Sequence, residues 1–198
     1  MPRQSRWAPR ARRDAAAQPV EPRVGRSGRR LAPLRHAFLA GLLLGLPVAG
    51  AHDLTPGTSQ PHAPLKLQDL GGLERDLGRL RGRVVLVHFW ASWCAPCLQE
   101  MPSLKRLAST EGPESLTVIA VNVGESDLRA KAFSKRLGIE FPVLLDKDSA
   151  VFDGWGATVL PTTYILDGEG RVRLVGRGPQ EWDTAEMLQT LESLRGGG

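Results

Sequence analysis

The chain has 198 residues, of which 41% are hydrophobic, so it can form one domain with a real core and a further segment. Its net charge of +5 is unevenly distributed, because residues 1–51 hold 10 of the 26 Lys and Arg residues and 2 of the 21 Asp and Glu residues. The rest of the chain is mildly acidic and contains a single Tyr. This distribution argues against a basic nucleic-acid surface on the folded part, so we expect no nucleic-acid partner.

An export signal is predicted near the N-terminus. Residues 37–46 form an apolar run, with basic residues before it and a helix breaker and small residues after it: Arg29, Arg30, Arg35, Pro47 and residues 49–51. That order is typical of a secretory signal, so we expect cleavage after Ala51, a mature chain from His52 and a periplasmic location. An uncleaved membrane tether is the alternative, but only residues 37–51 are free of charge, whereas a membrane-spanning helix needs about 20 such residues.

The first residues of the chain differ in character from the export signal. Residues 1–23 are rich in Arg, Ala and Pro without apolar periodicity, and an export signal does not need them. We therefore predict that translation begins at Val24 through an alternative initiation codon, which leaves a short basic region at residues 25–35. Proteomics of the source cell is the measurement, and any peptide from residues 1–22 contradicts the prediction.

A linker and a small hairpin are predicted between the signal and the first long strand. Residues 52–64 contain Thr, Pro, Gly, Ser and His without periodicity, which indicates a flexible linker. Residues 65–70 then alternate loosely, Gly71 and Gly72 form a turn, and residues 77–80 fit one helical turn. We expect the folded domain to extend from residue 65 to residue 195.

Both cysteines of the chain lie in one stretch, residues 93–97. The hydrophobic run at residues 84–90 predicts a strand buried on both faces, and the apolar spacing after Cys97 predicts a helix to about residue 109. Cys94 stands at the start of this helix, where free N–H groups and the helix dipole stabilise a thiolate. Cys97 lies one turn further, within reach of a disulfide. Pro96 fits between them because the first turn has no internal partner for its missing N–H.

This cysteine pair admits two alternatives to redox chemistry. A zinc site needs four ligands, and the four histidines and the carboxylates offer no second pair with ligand spacing. An inert structural bridge gains little stability here, because a separation of three residues closes almost no loop. The spacing therefore favours reversible thiol–disulfide chemistry, which requires no metal and no cofactor.

The rest of the chain alternates between strands and helices. We predict strands over residues 116–123, 141–145, 162–166 and 172–175, a tight turn at residues 167–170, and helices over residues 127–137, 149–155 and 181–194. In the first of these helices, Leu128, Ala132 and Leu137 are expected to face inward. Phe152 and Trp155 are expected to lie in the core rather than in a ligand site.

Three stretches together resemble a known family. They are residues 85–102, which include both cysteines, the turn at residues 160–163 and the hairpin at residues 167–170. They are similar to the TlpA/ResA/CcmG-like thioredoxin family of periplasmic thiol–disulfide oxidoreductases, and the similarity covers about residues 63–195. The resemblance implies an α/β fold, namely the thioredoxin-like three-layer α/β/α sandwich with a mixed central sheet and an N-terminal hairpin extension.

The resemblance also implies roles around the dithiol. Cys94 is expected to be the attacking thiol, and Cys97 is expected to resolve the mixed disulfide. The Leu160–Pro161 bond matches the family's cis-proline turn, and a cis bond there leaves the adjacent backbone free to pair with a substrate strand; a trans proline in a loop is the alternative. The residues expected to bind substrate are Trp93, Pro96, Leu160, Pro161 and Thr162.

Two further side chains are candidate catalytic groups for moving the proton of Cys97. Glu100 matches the family's active-site glutamate and lies one helical turn after Cys97. His88 lies on the central strand, where thioredoxins carry a buried Asp and this family more often an Asn. A neutral imidazole there can accept a proton from a thiol. The alternatives are a solvent-facing Glu100 and a His88 that is a hydrogen-bonded core residue.

The resemblance implies a periplasmic reductase of protein disulfides. Its expected partners are exported proteins that carry disulfides, such as apocytochrome c during cytochrome c maturation or subunits during respiratory-oxidase assembly, and a membrane thiol-reductant transporter of the DsbD/CcdA type. One alternative is a binding or assembly factor for haem or copper apoproteins, although copper chaperones of this fold use a wider cysteine spacing. The other is a thiol peroxidase, which needs a lone cysteine preceded by Thr, where this chain has Ser92 and Trp93.

Overall fold

A computed structural model describes residues 54–57, 62–112 and 114–195, so the predicted export signal lies outside the described residues. The strands are β1 (Leu54–Pro56), β2 (Lys66–Gln68), β3 (Glu74–Asp76), β4 (Val84–Trp90), β5 (Leu116–Val123), β6 (Val143–Asp146), β7 (Thr162–Leu166) and β8 (Val172–Arg177). The helices are α1 (Ala95–Thr110), α2 (Asp127–Leu137), α3 (Ala150–Gly154) and α4 (Ala185–Arg195), with a 3₁₀ turn at Leu77–Arg79. Within these described ranges, no helix is both long and apolar enough to cross a membrane.

The central sheet has six strands in the order β1-β8-β7-β4-β5-β6. Strands β4, β5 and β6 run parallel, whereas β4 pairs with β7, β7 with β8 and β8 with β1 in antiparallel fashion. The sheet is therefore mixed, as the resemblance implies. Strands β2 and β3 form a separate antiparallel hairpin, which confirms the N-terminal extension, and its Asp69 bridges to Leu144 of β6.

Strand β4 is buried along its whole length, because layers of side chains cover both faces of the sheet. Val84, Leu86 and Trp90 pack into one core cluster, which they share with residues of α1 and α4. Val85, Val87 and Phe89 point to the opposite face and pack with a second set: Leu65, Leu77, Val151, Phe152 and Trp155. Helices on one face and the hairpin, the 3₁₀ turn and α3 on the other complete the three-layer α/β/α sandwich, and the predicted fold class is confirmed.

The predicted flexible linker is wrong over Leu54–Pro56, which forms β1 at the edge of the sheet. Leu54 lies opposite Gly176 of β8, and the Thr55 hydroxyl donates a hydrogen bond to the carbonyl of Val175 at 3.2 Å. A strand of three residues is too short to show periodicity in the sequence. Its position is set by the unpaired backbone groups of β8 rather than by a local pattern.

The predicted inward face of α2 is also wrong at Leu128 and Ala132. Leu128 is 81% exposed and Ala132 is exposed, although the bounds of the helix agree with the prediction. Ala130 and Ser134 are buried instead, and Phe133 packs partly against the core. Residues 130, 133, 134 and 137 are spaced i, i+3, i+4 and i+7, so they share the helix face that meets the sheet; Phe133 and, as predicted, Leu137 supply its apolar contacts, whereas Leu128 lies on the outer face.

Candidate active site

The two cysteines form a disulfide at the N-terminus of α1, with an S–S distance of 2.04 Å. Cys94 is the N-cap residue, and its Sγ accepts a hydrogen bond from the backbone N–H of Cys97 at 3.3 Å. Cys94 is 5% exposed and Cys97 is fully buried, so the disulfide is accessible from solvent only at Cys94. Trp93 precedes this pair and is 66% exposed. Its indole ring is therefore exposed beside the disulfide.

The Leu160–Pro161 peptide bond is cis, as predicted. It leads directly into β7, whose Thr162 lies opposite Phe89 near the end of β4. Because β4 ends just before the cysteine pair, the register of β4 with β7 brings the proline turn and the cysteines to the same end of the sheet. Thr162 is buried, and its hydroxyl donates to the carbonyl of Val159 at 2.7 Å within this turn.

Glu100 is buried rather than solvent-facing, with a relative exposure of 2%. Its Oε2 accepts hydrogen bonds from the backbone N–H of Gln180 at 2.8 Å and from the indole N–H of Trp182 at 3.1 Å. Burial raises the pKa of Glu100 to about 7, although these two hydrogen bonds act in the opposite direction. A carboxyl group one helical turn after Cys97 can therefore gain and lose a proton near neutral pH.

His88 lies on β4 and is fully buried. Its Nδ1 is 2.9 Å from the hydroxyl of Thr163, the opposite residue on β7, and 3.2 Å from Oε1 of Glu100. Burial lowers the pKa of His88 to about 3, so the imidazole is neutral at physiological pH. The approach of Nδ1 to Oε1 is thus a contact of a neutral ring rather than an ion pair.

The structure brings most of the predicted site residues to one place. Strand β4 carries His88, Cys94 caps α1, α1 carries Cys97 and Glu100, and the proline turn lies at the same end of the sheet. Gln180 and Trp182 were not predicted, and they bind Glu100 across about 80 residues of sequence. In the described part of the chain, no group of three or more His, Cys, Asp and Glu side chains is placed to hold a metal ion.

The AhpC/TSA family matches residues 58–175, which is more than half of the chain. The chain belongs to the AhpC/TSA family. Within it, the chain is 36% identical over 129 residues to the thiol-disulfide oxidoreductase ResA of Geobacillus thermodenitrificans, covering 65% of this chain and 73% of the relative. It is 35% identical over 130 residues to the ResA protein of Bacillus subtilis, covering 66% and 72%.

A solved structure agrees with this assignment. The thiol:disulfide interchange protein of Chlorobium tepidum, a thioredoxin family protein, superposes with a TM-score of 0.61 at 25% identity, over 72% of this chain and all of that protein. Together with the disulfide at the start of α1, these relatives identify this AhpC/TSA family member as a thiol–disulfide oxidoreductase of the ResA type. The predicted class of enzyme is confirmed.

Proposed function

We propose that the protein is an exported reductase of protein disulfides that works in the periplasm. The observation that carries the proposal is the buried Glu100 carboxyl, because it places a group that titrates near neutral pH one turn after Cys97. A dithiol that reduces other proteins must lose the proton of its second thiol at that pH, and Glu100 provides a local acceptor. The exposed Trp93 and the Leu160–Pro161 turn supply the surface that holds the substrate.

The proposed reaction begins from the reduced protein. The Cys94 thiolate attacks one sulfur of the substrate disulfide, which breaks that S–S bond, forms a mixed disulfide and releases the first substrate thiolate. Cys97 then attacks the sulfur of Cys94, and the second substrate thiolate leaves. Two electrons have passed to the substrate, and the protein now carries the Cys94–Cys97 disulfide seen in the structure. A membrane thiol-reductant transporter of the DsbD/CcdA type restores the dithiol.

The proton of Cys97 is proposed to pass to the Glu100 carboxylate when the mixed disulfide is resolved. His88 contacts the Oε1 atom of this carboxylate at 3.2 Å, but its own pKa of about 3 makes it a weak base. We assign to His88 the role of holding Glu100 in place and sharing its proton. The hydroxyl of Thr163 at 2.9 Å fixes the orientation of the imidazole ring in turn.

The redox couple of the protein is predicted to be reducing. The dipeptide between the cysteines is Ala95–Pro96, which lacks the His that strong oxidants use to stabilise the thiolate. We therefore expect a standard potential nearer to the roughly −270 mV of thioredoxin than to the roughly −120 mV of a strong oxidant. Equilibration with glutathione is the measurement, and a value above about −160 mV on the same scale rejects a reductase role.

An insulin-reduction assay tests the proposed activity directly. We expect the reduced protein to accelerate insulin precipitation with dithiothreitol as electron donor, and a variant with both cysteines replaced to be inactive. Apocytochrome c and respiratory-oxidase subunits are the proposed substrates. A protein that binds a haem or copper apoprotein tightly but reduces neither insulin nor that apoprotein is an assembly factor instead, and the proposal fails.

A further inference from the structure

A second buried carboxylate, Glu125, lies beside the dithiol loop and has no part in the chemistry described above. It follows β5 and precedes α2, and its side chain is 3% exposed. Gly124 before it has a φ of 68°, a left-handed conformation that glycine adopts without cost, and its N–H donates to the carbonyl of Asp146 at 2.8 Å. This turn directs the Glu125 side chain back toward the end of β4.

Both oxygens of Glu125 bind Ser92, which lies two residues before Cys94. The backbone N–H of Ser92 donates to Oε2 at 2.6 Å, and the Ser92 hydroxyl donates to Oε1 at 2.5 Å. Asn122, fully buried at the end of β5, donates its side-chain N–H to Oε2 at 2.8 Å. The loop between β4 and α1 is thereby attached to the neighbouring strand through one carboxylate.

Arg129 of α2 completes the cluster. Its Nε is 2.9 Å from Oε1 of Glu125 and 2.7 Å from the hydroxyl of Ser92. Burial alone raises the pKa of Glu125, but the hydrogen bonds from Ser92 and Asn122 and the charge of Arg129 outweigh it and hold the pKa below its usual value. The carboxylate is therefore ionised at neutral pH, and charge-assisted hydrogen bonds of this kind are stronger than neutral ones.

We infer that Glu125 is a positioning residue for thiol–disulfide exchange, which acts through Ser92 to hold Cys94 at the N-terminus of α1. The N–H of Cys94 donates to the carbonyl of Ala91 at 3.2 Å, so residues 91–94 form one turn. Ser92 is the second residue of this turn, and both its backbone N–H and its hydroxyl donate to Glu125. A thiolate gains stabilisation from a helix N-terminus only while it is held at the N-cap. The cluster keeps it there while the exposed Trp93 remains available to a partner.

The test separates positioning from a simple effect of charge. Glu125→Gln keeps the shape of the side chain but removes its negative charge, which by electrostatics alone favours the Cys94 thiolate and faster exchange. If Glu125 acts by positioning, the rate of the first exchange step with an aromatic disulfide reagent falls about tenfold instead. Ser92→Ala is expected to lower the rate similarly, and the double variant to lose no more than the worse single variant, because both act through one contact.

Two measurements accompany the rates, namely the pKa of the attacking thiol from the ultraviolet absorbance of the thiolate and the melting temperature. The control variant is Glu140→Gln, at an exposed carboxylate. We expect the thiol pKa to rise in Glu125→Gln and to stay unchanged in the control. A lowered pKa with faster exchange, multiplying effects in the double variant, or a lower melting temperature with unchanged rate and pKa each overturn the inference.

The inference rests on the proposed role of Cys94 as the attacking thiol, and alkylation tests that role separately. Mass spectrometry of the reduced protein after limited alkylation identifies the cysteine that reacts first. Labelling at Cys97 contradicts the proposed role of Cys94, whereas labelling at Cys94 with unchanged exchange rates in Glu125→Gln contradicts only the role of Glu125.

Discussion

The Cys97→Ala variant is expected to accumulate a stable mixed disulfide between Cys94 and its substrate. Cys94 caps α1 at the exposed side of the pair, whereas Cys97 is fully buried behind it, so only Cys94 is placed to meet another protein. Without Cys97 the second exchange step has no attacking thiol, and the captured protein stays bound. Mass spectrometry of the complexes trapped from a cell extract then identifies the substrate.

The matched control for this trap is Cys94→Ala. This variant is expected to capture nothing and to reduce insulin at least about a thousandfold more slowly than the wild type, because loss of a nucleophile removes the whole covalent pathway. Both variants are expected to fold, since a disulfide between residues three apart contributes little loop-closure entropy. Capture of substrates through Cys97 in the Cys94→Ala variant contradicts the assigned roles.

The sequence pattern predicted the elements whose signals are local. The hydrophobic run of β4, interrupted only by His88, and the polar–apolar spacing of α2 gave bounds that agree with the structure at both ends. α4 shows the limit of such reading, because it begins at Ala185 rather than at the predicted residue 181. The residues before Ala185 are not helical; there, the backbone N–H of Gln180 and the indole N–H of Trp182 donate hydrogen bonds to Glu100 instead. A distant partner, invisible in the local pattern, decides the conformation there.

The candidate site follows the same division. The cysteine pair was predictable because its motif is short and contiguous, whereas the cis proline turn was predicted from the resemblance of residues 160–163 to the family. The surroundings of Glu100 and the Glu125 cluster were not, because each joins strands and loops that lie more than 30 residues apart in sequence. A helical Glu gives the same local pattern whether it is exposed or buried. Only the tertiary packing that covers Glu100 distinguishes the two, and the same packing raises its pKa.

The opposite pKa shifts of Glu100 and His88 leave a signature in protein stability. The folded-state pKa of Glu100, about 7, lies above its usual value of 4.5, so its contribution to stability is complete below pH 4.5 and is lost as the pH rises through 7. The pKa of His88, about 3, lies below its usual 6.5, so its contribution is lost as the pH falls through 3. The two effects oppose each other between pH 4.5 and 6.5, so the net change of stability with pH is small there.

Glu100→Gln is expected to slow the resolution of the mixed disulfide about a hundredfold at neutral pH, which is a typical loss when a general base is removed. In the wild type, the rate of resolution should rise with pH through about 7 as Glu100 loses its proton, and then level off. Gln cannot accept the proton, so this inflection should vanish. The measurement is stopped-flow kinetics on a preformed mixed disulfide from about pH 5 to about pH 8, with Glu192→Gln on the exposed face of α4 as the control.

His88→Asn distinguishes a shared proton relay from a Glu100 that acts alone. Asn is smaller than the imidazole, so water gains access to the carboxyl group of Glu100 and its desolvation weakens. The pKa of Glu100 should then fall toward its usual 4.5, and the inflection in the rate of resolution should move to lower pH while the maximal rate stays close to that of the wild type. If His88→Asn resolves the mixed disulfide at the wild-type rate across the whole pH range while Glu100→Gln is slowed, His88 is a structural residue, and the proton of Cys97 passes to Glu100 alone.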